Sequence, residues 1–200
     1  MLELITGTVL AASAGLNAYI PLLGLGLMAR FTSLIDLPDG WSWLANEWSL
    51  GIVAVLLVIE MVVDKVPALD SVNDVLQTAI RPAAGGLAFS AGSASETVAV
   101  SDPAAFVTSA QVWPFVVGVL VALVPHLLKA IARPVLNLVT AGAGAAVMSV
   151  LEDIGAVVLT VLAVIVPVLA LVTLVVVLVW LVRRLRRAVA ERRARRALPA

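Results

Sequence analysis

Apolar residues run through this chain in long blocks, and polar residues interrupt the blocks at regular intervals. A helix needs roughly 20 mainly apolar residues to cross the hydrocarbon core of a bilayer. Leu4 to Met28, Gly51 to Val66, Val112 to Ile131 and Ile154 to Val182 meet or approach that length, and Pro82 to about Ser93 and Pro134 to Val150 form two softer runs rich in small residues. The pattern predicts an all-α, polytopic membrane helix bundle of about six spans. Gly15, Asn17 and Pro21 break the first run, and Pro21 removes a backbone donor there. Trp41, Trp43 and Trp48 cluster in the loop at 31–48, as tryptophans do at a membrane–water interface. A second polar loop, with Glu96, Asp102 and Pro103, spans 94–111.

Two polar sets share one spacing. Asp74, Gln77, Arg81 and Pro82 recur as His126, Lys129, Arg133 and Pro134. Positions i, i+3 and i+7 lie on one helical face. Each set therefore points its charged and amide groups one way and closes on an Arg-Pro step. These read as the tips of two hairpins, either parallel repeats entering from one membrane face or re-entrant segments.

Composition agrees with the membrane reading. The chain is 62% hydrophobic and 13% charged, where a soluble domain carries about 25% charged residues. With no cysteine, disulfide and thiolate chemistry are excluded, and a single histidine leaves no metal site to build. The formal net charge of +0 hides an asymmetry: eight of the 13 Lys and Arg are arginines after residue 182. The division is thus a transmembrane domain at 1–182 and a basic cytoplasmic tail at 183–200. Met1, Leu2, Glu3 and Leu4 lack the basic start of a signal peptide, so the first run is expected to be retained.

Six spans put both termini on one side, and the positive-inside rule makes that side the cytoplasm of an inner (cell) membrane. Lys65, Arg81, Lys129 and Arg133 then fall inside, while Asp36, Asp39, Glu47, Glu96, Asp102, Glu152 and Asp153 fall outside. Arg30 is the exception among the bases.

Three stretches carry a resemblance: AASAGLNAYIPLLGLGLMARF at 11–31, VPALDSVNDVLQTAIRPAAGG at 66–86 and RPVLNLVTAGAGAAVMSVLEDIGAVVLTVLAVIVP at 133–167. The chain resembles the bacterial membrane proteins grouped as domain of unknown function 4126, over most of its length short of the arginine tail. Family members tend to be richer in glycine where this chain has AGAGAA at 141–146. The resemblance implies a multi-span membrane protein and supplies no reaction or substrate.

Function must come from the residues. Arg81 and Arg133, with Lys129, Gln77, Asn137 and Asn17, are the candidates for binding an anion, because the planar guanidinium fork matches phosphate or carboxylate. Glu60, Asp64, Asp74 and His126 are the candidates for carrying protons; a carboxylate at Glu60, after five apolar residues, is costly if ionised and unpaired. The bland alternative pairs Asp64 with Lys65 or Arg81, pairs Glu60 with Lys129 or Arg133, and leaves residues 70–81 as a surface helix. The expected function is a small transporter or flippase for an anionic solute or lipid headgroup, with these groups available to couple it to protons. A non-transporting scaffold is the alternative. No nucleophile–base pair, metal cluster or phosphate loop argues for an enzyme, no cofactor is implied, and the tail has no nucleic-acid domain beside it. The expected partners are the lipid bilayer and an anionic small molecule or headgroup. Six spans in 200 residues are few to enclose a pathway, which favours a homodimer.

Overall fold

In a computed structural model the protein is all-helical across the described residues 1–65, 67–93, 112–140 and 143–197. The helices are α1 (Leu2–Leu16), α2 (Tyr19–Phe31), a 3-10 helix (Asp39–Ala45), α3 (Glu47–Val63), α4 (Pro67–Gly92), α5 (Val112–Thr140), α6 (Ala143–Ile165) and α7 (Pro167–Ala197). Among the described residues the six expected spans are not found. By length and composition two helices can cross a membrane, Val112–Ala132 and Ala146–Ile165; the 3-10 helix and α3, bent by 61°, add a third if counted together.

The first run is the clearest departure. Asn17 takes an extended backbone (φ −144°, ψ 122°) and ends α1. Its side-chain oxygen then accepts from the N–H groups of Tyr19 and Ile20, as an N-cap does for the start of a helix. Pro21 sits in the first turn of α2, where a missing N–H is tolerated, so it is not the breaking residue. The chain reverses at this point. Ser13 hydrogen-bonds Thr160, and the backbone of Gly24 abuts the same threonine. The two arms are about 22 Å and 20 Å long, each short of a hydrocarbon core. Leu4 to Met28 is thus a V of two half-length helices with a buried tip.

The Arg-Pro steps are not hairpin tips. Pro82 lies inside α4, which is one helix of 26 residues rather than a surface helix followed by a span. Pro134 lies inside α5. In an apolar setting a helix is the way to satisfy backbone groups, so a lost donor bends it sooner than ends it. The two sets also run in opposite directions. Thr78 meets His126, and Gly85 and Gly86 meet Gly118, Ala122 and Phe115, so α4 and α5 pack antiparallel and cannot be parallel repeats.

α1 is the axis of the bundle. Gly7 and Val9–Gly15 are all buried, and α4, α5 and α6 pack around it. The side chains there are small, which lets backbones approach. A Cβ on Gly15 would strike the Ala122 carbonyl oxygen and Pro125; one on Gly85 would strike Ala122. α6 breaks at Val166. Pro167 cannot donate to the Ala163 carbonyl, and the Thr6 hydroxyl donates to it instead, at 3.0 Å. α7 continues unbroken into the arginine run, so the basic tail is the end of a helix as far as Ala197.

Candidate functional site: a buried charge cluster

Helical spacing places the polar groups before any contact is considered. Glu60 and Asp64 share a face of α3 at i and i+4; Asn73, Gln77 and Arg81 form a stripe on α4; His126 and Lys129 are i and i+3 on α5. Ser149, Glu152, Asp153, Ala156 and Thr160 line the inward side of α6, all buried. The bundle brings these four stripes and the tip of the V together.

Arg81 is the centre, with no exposed surface. Its Nη2 donates to Glu60 Oε1 at 2.8 Å and lies 3.5 Å from Asp64 Oδ2. Lys129 Nζ is 3.3 Å from the same Asp64 oxygen and 2.6 Å from Glu152 Oε2. Asn73 donates to the other Asp64 oxygen at 2.6 Å. Asp153 accepts from Asn17 at the tip of the V, at 2.9 Å, and lies 3.8 Å from Lys65 Nζ. The Tyr19 hydroxyl interacts with Gln77, Glu60 and Arg81, and His126 hydrogen-bonds Thr78 at 3.1 Å. The result is a chain of alternating charge, Glu60–Arg81–Asp64–Lys129–Glu152, with Asp153 and Lys65 beside it.

Arrangements like this are costly to bury and stable only when geometry and pairing are good. Four carboxylates face three basic groups, so with every group ionised the cluster would hold one more negative charge than positive. One part of Arg81 is left over. Its Nε and Nη1 have no hydrogen-bond partner among the described residues, nor do Glu60 Oε2 and Gln77 Oε1. A guanidinium using one nitrogen out of three is short of acceptors, and unmet buried donors carry a penalty of about 1–3 kcal/mol each. Among the described residues no three His, Asp or Glu side chains are grouped to hold a metal ion.

The cluster corrects the assignment of charges to sides. Glu152 and Asp153 were expected outside the membrane, in a turn between the last two spans. They lie within the continuous helix α6, 7% and 9% exposed, in contact with the Lys129 and Lys65 expected on the opposite face. Their signal was available in the sequence: Ser149, Glu152, Asp153 and Thr160, at i, i+3, i+4 and i+11, mark one polar stripe on a helix. Of the expected anion-binding residues, Arg81, Lys129, Gln77 and Asn17 come together here, although Lys129 is taken by carboxylates and Asn17 by Asp153 and the α2 backbone. Glu60 and Asp64 are in the cluster, with Glu60 paired to Arg81 and Asp64 within reach of Arg81 and Lys129. His126, also expected as a proton carrier, is buried on α5 and hydrogen-bonds Thr78 of α4. The side chains of Asp74, Arg133 and Asn137 lie outside the described residues.

Residues 4–187 match the family described as domain of unknown function 4126. The chain belongs to that family. No curated protein and no solved structure matches it.

Proposed function

We propose that this member of domain of unknown function 4126 is a small membrane transporter or flippase, moving an anionic solute or lipid headgroup together with protons at the Arg81 cluster. The observation that carries this reading is Arg81 itself: fully buried, tethered through one nitrogen, with Nε and Nη1 unmatched. An anion's oxygens are the natural partners for that edge. Two further features support the reading. The tip of the V puts the C-terminus of one half-helix and the N-terminus of another beside the cluster, an arrangement that discontinuous helices use to form binding sites in transporters. Large apolar side chains are exposed along α3, α5, α6 and α7, as a lipid-facing surface requires.

Coupling follows from competition. Glu60 and an incoming anion both seek Arg81. A proton on Glu60 removes its charge and releases the guanidinium, so proton and anion binding strengthen each other, and the effect is reciprocal.

Proteoliposomes test this. Uptake of a radiolabelled anion, or flipping of a fluorescent anionic lipid, is expected to fall at least about tenfold in Arg81→Gln, the factor that 1.4 kcal/mol represents. In Glu60→Gln it is expected to persist but lose its response to a pH gradient. Full activity in Arg81→Gln would sink the proposal. The scaffold reading draws on a different observation, that the charged groups of the cluster are for the most part already paired. It expects the same substitutions to lower the melting temperature with no ligand effect at all.

A further inference from the structure

α3 differs from every other helix that supplies the cluster. Of its 17 residues only Leu50 and Glu60 are buried, and Asp64 just beyond its end is the third anchor. Ile52, Val55, Leu56, Val58, Ile59, Met61 and Val62 are all exposed. It packs along α2 and the 3-10 helix, with Leu50 against Gly26, and among the described residues it touches α4, the helix that carries Arg81, less than it touches α2. Among the described residues, the ion pairs and hydrogen bonds that hold the polar end of α3 to α4 and α5 are Glu60 on Arg81 and Asp64 on Arg81, Lys129 and Asn73. The exposed residues of α3 thus form a continuous apolar face beside the latch.

We infer that α3 is a lateral gate latched by the Glu60–Arg81 pair, and that the ligand of the Arg81 edge is the phosphate headgroup of an anionic lipid that reaches it sideways from the bilayer. This rests on the anion-binding reading above and names the source of the anion. A phosphate that replaces Glu60 on Arg81 leaves its acyl chains along the exposed face of α3, where apolar side chains already await them. A free anion from water gains nothing from that face. The groups facing the latch are Asp64 on α3, Arg81, Gln77 and Asn73 on α4, Tyr19 on α2, and Lys129 on α5 with Glu152 of α6 behind it.

The chain has no cysteine, so spin labels can be placed at will. Labels at Val55→Cys on α3 and Leu120→Cys on α5, both well exposed, report the gap between gate and bundle by double electron–electron resonance in phosphatidylcholine nanodiscs. Added phosphatidic acid is expected to lengthen the α3–α5 distance, Glu60→Gln to lengthen it without lipid, and inorganic phosphate to leave it unchanged. Glu47→Gln, an acid at the far end of α3 paired with Arg30, is the control and should do nothing. The unsubstituted latch provides a second arm: lowering the pH on the doubly labelled protein should open the same distance without any change at Glu60. An invariant distance under lipid, acid and Glu60→Gln would overturn the gate and leave transport standing. Equal opening by inorganic phosphate would overturn the lipid as the source. A moving gate in a protein that fails the uptake assay would overturn transport alone.

Discussion

Arg81 has no contact with solvent and Glu60 is 2% exposed, so each is the other's main source of compensation. Truncating one partner of such a pair strands the other charge. Arg81→Ala is expected to destabilise the protein by about 3–5 kcal/mol, read as a lower melting temperature in detergent. Replacing both partners, as Glu60→Leu with Arg81→Met, should recover most of that loss, because two apolar side chains of similar volume need no pairing; Asp64 keeps Lys129. If the double substitution melts as low as the single, the pair is not the main stabilising contact of these residues. Thr6 makes the same point for the backbone. Its hydroxyl serves the Ala163 carbonyl that Pro167 cannot, so Thr6→Val leaves a carbonyl unmet and is expected to lose about 1–3 kcal/mol.

Helix against helix, the decisive residues are the small ones. α1 approaches α5 so closely that Gly15 has the Ala122 backbone, and the Pro125 ring, where a Cβ would go. Backbone cannot rotate aside, so Gly15→Ala is expected to lower stability by about 1–3 kcal/mol and to push α1 from α5. Gly51 is the control. It is exposed on α3 with nothing within 4 Å of a built Cβ, and Gly51→Ala should be neutral or stabilising by up to about 1 kcal/mol through helix propensity. Thermal melts of both variants in one detergent make the comparison direct. The V of α1 and α2 depends likewise on one short side chain. Asn17 caps α2 with its oxygen and holds Asp153 with its nitrogen. Asn17→Ala removes both and leaves Asp153 relying on Lys65.

Taken as a whole, the molecule is built inward from a charge cluster and outward to an apolar surface. Its family match stops at Arg187, while α7 continues to Ala197. Removing residues after 187 is therefore expected to leave the helical content and melting temperature of the bundle unchanged, and to weaken attachment to anionic vesicles by about 1 kcal/mol for each arginine lost near the surface. A melting temperature that falls with the truncation would place the tail within the fold.

The sequence by itself determined the helical class, the apolar excess, the family and the types of residue in the cluster. These depend on composition and on periods of 3.6, which are local properties. Arg81, Glu60, Asp64, Lys129, Gln77 and Asn17 were each legible because charge or amide in an apolar run is expensive wherever it lies. Tertiary structure decided the rest. Whether Leu4 to Met28 crosses or turns back depends on Asn17 finding Asp153, 136 residues away. Whether Arg-Pro ends a helix depends on what else can satisfy the freed carbonyl. Glu152 and Asp153 belong to the site because α6 lies against α1 and α5, and no reading of span ends and charge bias contains that proximity. Pairing among buried charges is a property of which helices touch, and helix length alone does not specify it.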